Sequence, residues 1–227
     1  MRYKKPRGAL PYILLSVTAL AISIAGIITR QEPLRIIPLY VSLVVGLLQS
    51  RASRYANLIG GINATVYALV YYLFGLYASA ASALLISSPI QILTFIRWSK
   101  HPYKHSTYFR RLSLGGAIFG ASIFLAAFAL LYAVLSAFGS SYRVLDLTVS
   151  LISIFTSVLT LLSFVEYSYT MLLTGVFSIL LDVTMMREHP AQITFLIYSI
   201  YSMICIIRQF LTVNKLYSEQ RKEEKEI

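Results

Sequence analysis

Charged residues are scarce in this chain: they make up 13% of its 227 residues, against 57% hydrophobic ones. With a mean hydropathy of +0.70, so little charge excludes a single soluble domain of this length and leaves an integral membrane protein. Cysteine is nearly absent. Cys205 stands alone inside an apolar run, which excludes a disulfide framework and says nothing of an oxidising compartment. The three histidines fall outside every apolar run, and there is no H-E-x-x-H, no G-x-S-x-G and no phosphate-binding loop. These absences speak against an enzyme and against ATP hydrolysis by this chain, and no cofactor or metal is expected. An unusual membrane enzyme, or a substrate-capture subunit working with a separate ATPase, are the rival classes.

What is plentiful is apolar sequence, in eight runs that read as transmembrane helices of an all-α fold. They are Ala9 to Ile28, Leu34 to Gln49, Ala56 to Leu73, Leu76 to Ile96, Leu112 to Phe138, Val144 to Phe164, Ser168 to Met186 and Ala191 to Leu211. A spanning helix needs ~20 residues, so the second run is short unless Pro33 and Arg35 lie among the headgroups. The first run follows the basic stretch RYKKPR but continues past the small pair Ala19 and Ala21, so it reads as a retained span, not a cleaved signal peptide.

With the N-terminus inside, 16 of the 20 Lys and Arg residues fall on the inner side, leaving Arg30, Arg35, Arg143 and Arg187 outside. That bias predicts a multi-pass protein of the cell membrane with both termini cytoplasmic. It also accounts for the net charge of +11 without a nucleic-acid partner. The basic loop from Arg97 to Arg111 then sets topology and touches anionic lipid, and the tail EQRKEEKEI is a solvated charged end.

Two amides stand out within the runs. Asn63 and Gln91 lie roughly 8 to 10 Å from the same membrane face at ~1.5 Å per residue. An unpaired amide in hydrocarbon costs several kcal/mol, so each must face protein, a cavity or a ligand. We read them as ligand contacts; bonding between neighbouring helices is the plainer alternative. Tyr67, Phe95 and Trp98 lie on the amides' faces, although Trp98 beside Arg97 suits an interfacial anchor equally well. Pro89 removes a helix hydrogen bond just before Gln91 and predicts a kink, while Gly60 and Gly61 suit close helix packing. Asp146 and Asp182 fall near the outer ends of their spans and read as solvated caps in preference to proton relays.

The chain also repeats weakly. Leu47-Leu48, Tyr55 and Gly61 recur as Leu161-Leu162, Tyr169 and Gly175 at a constant offset, since 175 − 61 is 114. Copies four spans apart point the same way through the bilayer. The plan is a parallel repeat of three helices, one linking helix and three more, behind one extra helix. The divisions are 1–33 for the N-terminal tail and extra helix, 34–96 for the first repeat, and 97–143 for the basic loop and linking helix. The second repeat is 144–211 and the charged tail 212–227.

Gly-Gly-Ile-Asn at 60–63, Leu-Tyr-Ala-Ser at 76–79, and Gln91 with Trp98 seven residues on resemble the first half of the Pnu vitamin transporter family, typified by nicotinamide riboside carriers. Asp146, Ser153 and Glu166 fall where that family has an acid, a serine and the start of a Glu-Asn-Trp-x-x-Trp-x-x-x-Asn signature. The resemblance, over roughly Leu34 to Leu211, implies the three-one-three fold and facilitated uptake of a small vitamin or nucleoside, trapped by cytoplasmic phosphorylation. This chain reads Tyr167, Ser168, Met171 and Gly175 where the signature has Asn, Trp, Trp and Asn. The substrate therefore stays open among nicotinamide riboside, thiamine, riboflavin and a deoxynucleoside, with Tyr167 or Tyr169 as a replacement ring. The candidate substrate-binding set is Asn63, Tyr67, Gln91, Phe95 and Trp98 from the first half, and Asp146, Tyr169 and Tyr198 from the second. The partners are the small substrate and the lipid bilayer, with self-association as a homo-oligomer left open.

Overall fold

The structure is a computed structural model that describes residues 9–137 and 142–224. The basic stretch before Ala9, Phe138 and the last tail residues lie outside the described residues. Because lipid cannot satisfy a bare backbone, the apolar runs form helices. These are α1 (Leu10–Ile28), α2 (Pro33–Gln49), α3 (Tyr55–Leu73), α4 (Tyr77–Ser82), α5 (Ser88–Lys100), α6 (Leu114–Ala137), α7 (Arg143–Leu161), α8 (Tyr167–Met186) and α9 (Ile193–Glu223). A π-helical turn, Ala83–Ser87, joins α4 and α5 into one span, Tyr77–Lys100. Pro89 offers no N–H to the turn before it, and the widened turn takes up the mismatch where the sequence predicts a kink. Among the described residues seven helices are long and apolar enough to cross a membrane, and α2, a shorter apolar helix of 17 residues that starts at Pro33 with Arg35 in its first turn, makes the eighth.

Arg51 donates from Nη2 to Tyr12 OH at 3.0 Å, and Thr212 Oγ1 donates to the Ser50 carbonyl at 3.1 Å. These contacts bring both described ends of the chain to one face, together with the α2–α3 turn and the 101–112 loop. We call it the basic face. Arg30, Arg35 and Arg187 lie at the opposite one, with Arg143 at the start of α7.

Helices α2, α3 and α4–α5 pack together as one trio, and α7, α8 and α9 as the other. The trios meet along α2 with α9 and along α4–α5 with α7, while α1 rests on α2 and α9 and α6 leans on α7. One helix crossing recurs in both trios. A Cβ added at Gly61 would meet Ile92 Cγ1 at 3.1 Å, and one at Gly175 would meet Ile206 Cδ1 at 3.2 Å. Since 175 − 61 and 206 − 92 are both 114, the sequence repeat corresponds to a repeated packing contact.

At the basic face the structure departs from the reading of a plain loop and a solvated tail. Residues 102–107 form a two-stranded hairpin, β1 (Pro102–Tyr103) with β2 (Ser106–Thr107), and α9 continues twelve residues past Leu211 to meet it. Gln220 is buried and holds the loop at both ends of its amide: Phe109 N–H donates to Oε1 at 3.0 Å, and Nε2 donates to the Thr107 carbonyl at 3.0 Å. Lys104 pairs with Glu219 at 2.6 Å, and Tyr103 OH donates to Glu223 at 3.0 Å. The Glu219 hydrogen bond raises the Lys104 ammonium above its ordinary value. Tyr103 and Phe109 thereby join Trp98, Tyr167, Val213 and Leu216 in one apolar cluster. The buried face of the α9 extension is spaced at Val213, Leu216 and Gln220, a helical stripe hidden within a charge-rich segment.

The two glycine crossings are not equally tolerant. A Cβ at Gly61 also meets the Ser88 backbone carbonyl at 3.1 Å, whereas at Gly175 the nearest atom is Met203 Sδ at 2.8 Å, the far end of a flexible side chain. Overpacking against backbone costs ~1–3 kcal/mol, while replacing a helical glycine by alanine returns up to ~1 kcal/mol. Gly61→Ala therefore lowers the thermal unfolding midpoint in detergent, and Gly175→Ala leaves it near the wild-type value.

Candidate functional site

Between the two trios lies a cavity of about 320 Å³. Its wall on α3 is the stripe Asn57, Gly60, Asn63, Ala64 and Tyr67, and α4–α5 faces it with Ser79, Ser82, Gln91, Thr94 and Trp98. Helix α7 contributes Ser150, Ser153, Thr156 and Thr160; α8 contributes Tyr167, Met171, Thr174 and Gly175; α9 contributes Tyr198, Ser202 and Gln209. Amides, hydroxyls and aromatic rings make up its polar lining. Among the described residues no Asp, Glu, Lys, Arg or His touches it.

The two sequence-predicted amides have different surroundings. Asn63 is buried and spends both N–H donors on its neighbours: Nδ2 donates to the Pro38 carbonyl at 3.0 Å and to Ser42 Oγ at 2.8 Å. Ser42 in turn donates to Tyr67 OH at 3.0 Å. Asn63 thus ties α3 to α2, leaving its carbonyl oxygen for the cavity. Gln91 has no hydrogen-bond partner among the described residues and lies over Gly60, where an added Cβ would collide with its Oε1. Gly60 is therefore what leaves room for the amide. The side-chain amide of Asn57, 7% exposed, likewise has no partner among the described residues.

Trp98 is 2% exposed, which excludes the interfacial-anchor reading. Its indole N–H donates to the Thr160 carbonyl at 3.0 Å, and its ring meets Tyr167 at 6.2 Å and Phe109 at 5.7 Å. This cluster closes the cavity at the basic face, with the 101–112 loop behind it. Toward the other end Tyr67 stacks on Tyr71 at 5.5 Å, and Tyr198 completes the wall.

Of the eight candidates, Asn63, Tyr67, Gln91, Trp98 and Tyr198 come together here, and three do not. Phe95 turns away to pack on Tyr55 at 5.8 Å, because the i+4 position from Gln91 carries it past the cavity edge. Tyr169 is 49% exposed and packs edge-on against Phe210 at 4.9 Å; its neighbour Tyr167 is the ring that faces inward. Asp146 lies behind the wall and is fully buried, accepting from the Ala78 and Ser79 N–H groups at 3.2 Å and from Ser79 Oγ at 2.5 Å. It caps the first turn of α4 across the two trios, so the cap reading holds but not the solvation. Asp182 is also buried, accepting from Gln192 at 2.7 Å and from Ser199 at 2.5 Å. Glu166 sits outside the cavity, accepting from the Leu112 N–H at 3.0 Å near Arg111, whereas Ser153 lines it.

Sequence reasoning missed Asn57, Gln49, Gln209 and Tyr71. The signal for Asn57 was present, since 57, 60, 64 and 67 follow the i, i+3, i+7, i+10 spacing of one helix face. Gln209 donates to Tyr167 OH at 3.2 Å while its buried Oε1 has no partner among the described residues.

The sequence profile of the nicotinamide mononucleotide transporter family matches residues 32–212. No curated protein sequence matches the chain. A solved structure described as the crystal structure of the vitamin B3 transporter PnuC superposes with a TM-score of 0.79 at 17% identity, covering 93% of each chain, and so shares the fold. With four-fifths of its length under that profile, the chain belongs to the nicotinamide mononucleotide transporter family of membrane proteins.

Proposed function

We propose that this transporter carries an unphosphorylated, nucleoside-sized vitamin of the nicotinamide riboside type. The observation that supports this reading most directly is the neutrality of the cavity. A phosphate monoester carries about −1.5 to −2 charges at neutral pH, and burying it without a cation costs several kcal/mol per charge. A riboside instead offers hydroxyls and a carboxamide to the amides of Asn57, Gln91 and Gln209, and its cationic pyridinium ring suits the faces of Trp98, Tyr167 and Tyr67. The volume lies at the lower end of the ~300–1,000 Å³ range of small-molecule pockets.

Transport on this reading is facilitated diffusion, not catalysis. The trios rock about the midplane site, and phosphorylation in the cytoplasm keeps the imported vitamin from returning. The basic face is the cytoplasmic one, as the distribution of Lys and Arg favours. Asp146 and Asp182 are each tied up in hydrogen bonds behind the cavity wall, which favours uptake uncoupled from ions.

Purified protein in a binding screen against nicotinamide riboside, nicotinamide mononucleotide, thiamine, riboflavin and deoxynucleosides is expected to bind the riboside and reject the mononucleotide. Tighter binding of the mononucleotide would overturn the assignment. In proteoliposomes uptake stops at equal concentrations; accumulation driven by a proton or sodium gradient would make Asp146 and Asp182 coupling residues.

The hydrogen-bond pattern separates binding amides from structural ones. Losing one bond to a polar ligand costs ~0.5–1.5 kcal/mol, so Asn57→Ala and Gln91→Ala each weaken affinity by roughly threefold to tenfold with little change in the unfolding midpoint. Asn63→Ala, which removes a donor from Pro38 and Ser42, lowers the midpoint first. Calorimetric titration beside thermal unfolding distinguishes the two outcomes.

The orientation is checked by a reporter fused after residue 227. It is expected to be inaccessible from outside intact cells, and labelling from outside would reverse the assignment of faces.

A further inference from the structure

Two further cavities, one on the lipid-facing flank and one at the face opposite the basic one, share a pair of residues. The first, about 610 Å³, is an apolar crevice walled by α4, α6 and α7, with Leu85, Leu131 and Ile154 among its lining. Leu85 is 71% exposed, so the crevice opens sideways to lipid. Along α4 and the π-helical turn it runs from Tyr77 to Ile86, nine residue steps or ~13 Å at ~1.5 Å each. That depth is close to one leaflet of a hydrocarbon core ~30 Å thick.

The second, about 530 Å³, is polar and lies at the face opposite the basic one, bordered by Arg35, Gly75, Glu188 and His189. The guanidinium of Arg35 has no hydrogen bond or ion pair among the described residues; it lies 4.5 Å over the Phe74 ring, and its Nε is fully buried without a partner. Glu188 accepts from Tyr142 OH at 2.5 Å and keeps its negative charge, but it forms no ion pair with Arg35 among the described residues, so Arg35 is the unpaired cation of this pocket. Tyr72 and Tyr77 line both cavities, their rings 5.7 Å apart. Paired tyrosines at that position mark the level where headgroups meet hydrocarbon.

A polar pocket with a spare cation, joined at interface depth to an apolar slot one leaflet deep, has the form of an amphiphile. We propose that this composite site binds one phospholipid of the outer leaflet, its phosphate on Arg35 and an acyl chain between α4, α6 and α7. An anionic headgroup is preferred over a zwitterionic one. Ser82 and Ser150 line both this crevice and the central cavity, so the bound chain forms the lipid side of the wall that encloses the transport site.

The test uses the full chain in detergent, titrated with phosphatidylglycerol or phosphatidylcholine and read by native mass spectrometry and thermal unfolding. Wild type is expected to retain one phospholipid and to prefer the anionic lipid. Arg35→Gln reduces that preference by about fivefold, the factor one basic residue carries at a membrane surface, while still retaining the neutral lipid. Leu131→Trp and Leu85→Trp, which fill the crevice from partly exposed positions, remove retention of both lipids, and a cooperative unfolding transition with a midpoint near that of delipidated wild type confirms that each variant is folded. Unchanged lipid retention in both tryptophan variants would overturn the proposal. So would equal stabilisation by inorganic phosphate alone, which would mark a free-anion site, or an Arg35→Gln variant with the wild-type lipid preference.

Discussion

Every polar group placed in hydrocarbon must find a partner inside the protein or bear a cost of several kcal/mol, and this constraint organises the whole structure. Asn63 meets it by binding Pro38 and Ser42, Asp146 by capping α4, Asp182 by holding Gln192 and Ser199, and Trp98 by donating to Thr160. These bonds tie α2 to α3, α4 to α7, α8 to the start of α9, and α5 to α7. Three of the polar groups left unpaired among the described residues, Asn57, Gln91 and one end of Gln209, gather around the central cavity. In a soluble protein such amides would be unremarkable surface; between lipid-facing helices they are the groups on which the proposed substrate site rests.

The cavity depends on small residues as much as on polar ones. Gly60 clears the space that Gln91 occupies, and Gly61 and Gly175 let α3 approach α5 and α8 approach α9. Serine and threonine line much of the remainder, offering hydroxyls without bulk or charge. The result is a cavity lined by hydroxyls, amides and aromatic rings, with no charged side chain among the described residues.

Much of this was legible in the sequence because membrane spans are set by length and apolarity, which are local properties. The eight runs, the even span count and the 114-residue repeat all have direct counterparts in the helices. Asn63 and Gln91 could be found because an amide in an apolar run is conspicuous. Their division into a structural and an unpaired amide could not, because it turns on Pro38 and Ser42, 25 and 21 residues away. Phe95 and Tyr169 failed for the opposite reason: helical spacing places a residue on a sector of the helix, and the edge of a cavity is sharper than a sector. The folded loop at 101–112 was hidden by its charge, since the residues that pin it are polar and distant in sequence.

Helix α9 connects both ends of the molecule. Its 31 residues form a rod of ~46 Å, held near one face by the Asp182 contacts and at the other by the grip of Gln220 on the 107–109 backbone. A rod fixed at two such points behaves as a lever. In the proposed rocking of the trios, a tilt of α9 carries the hairpin and its aromatic cluster with it.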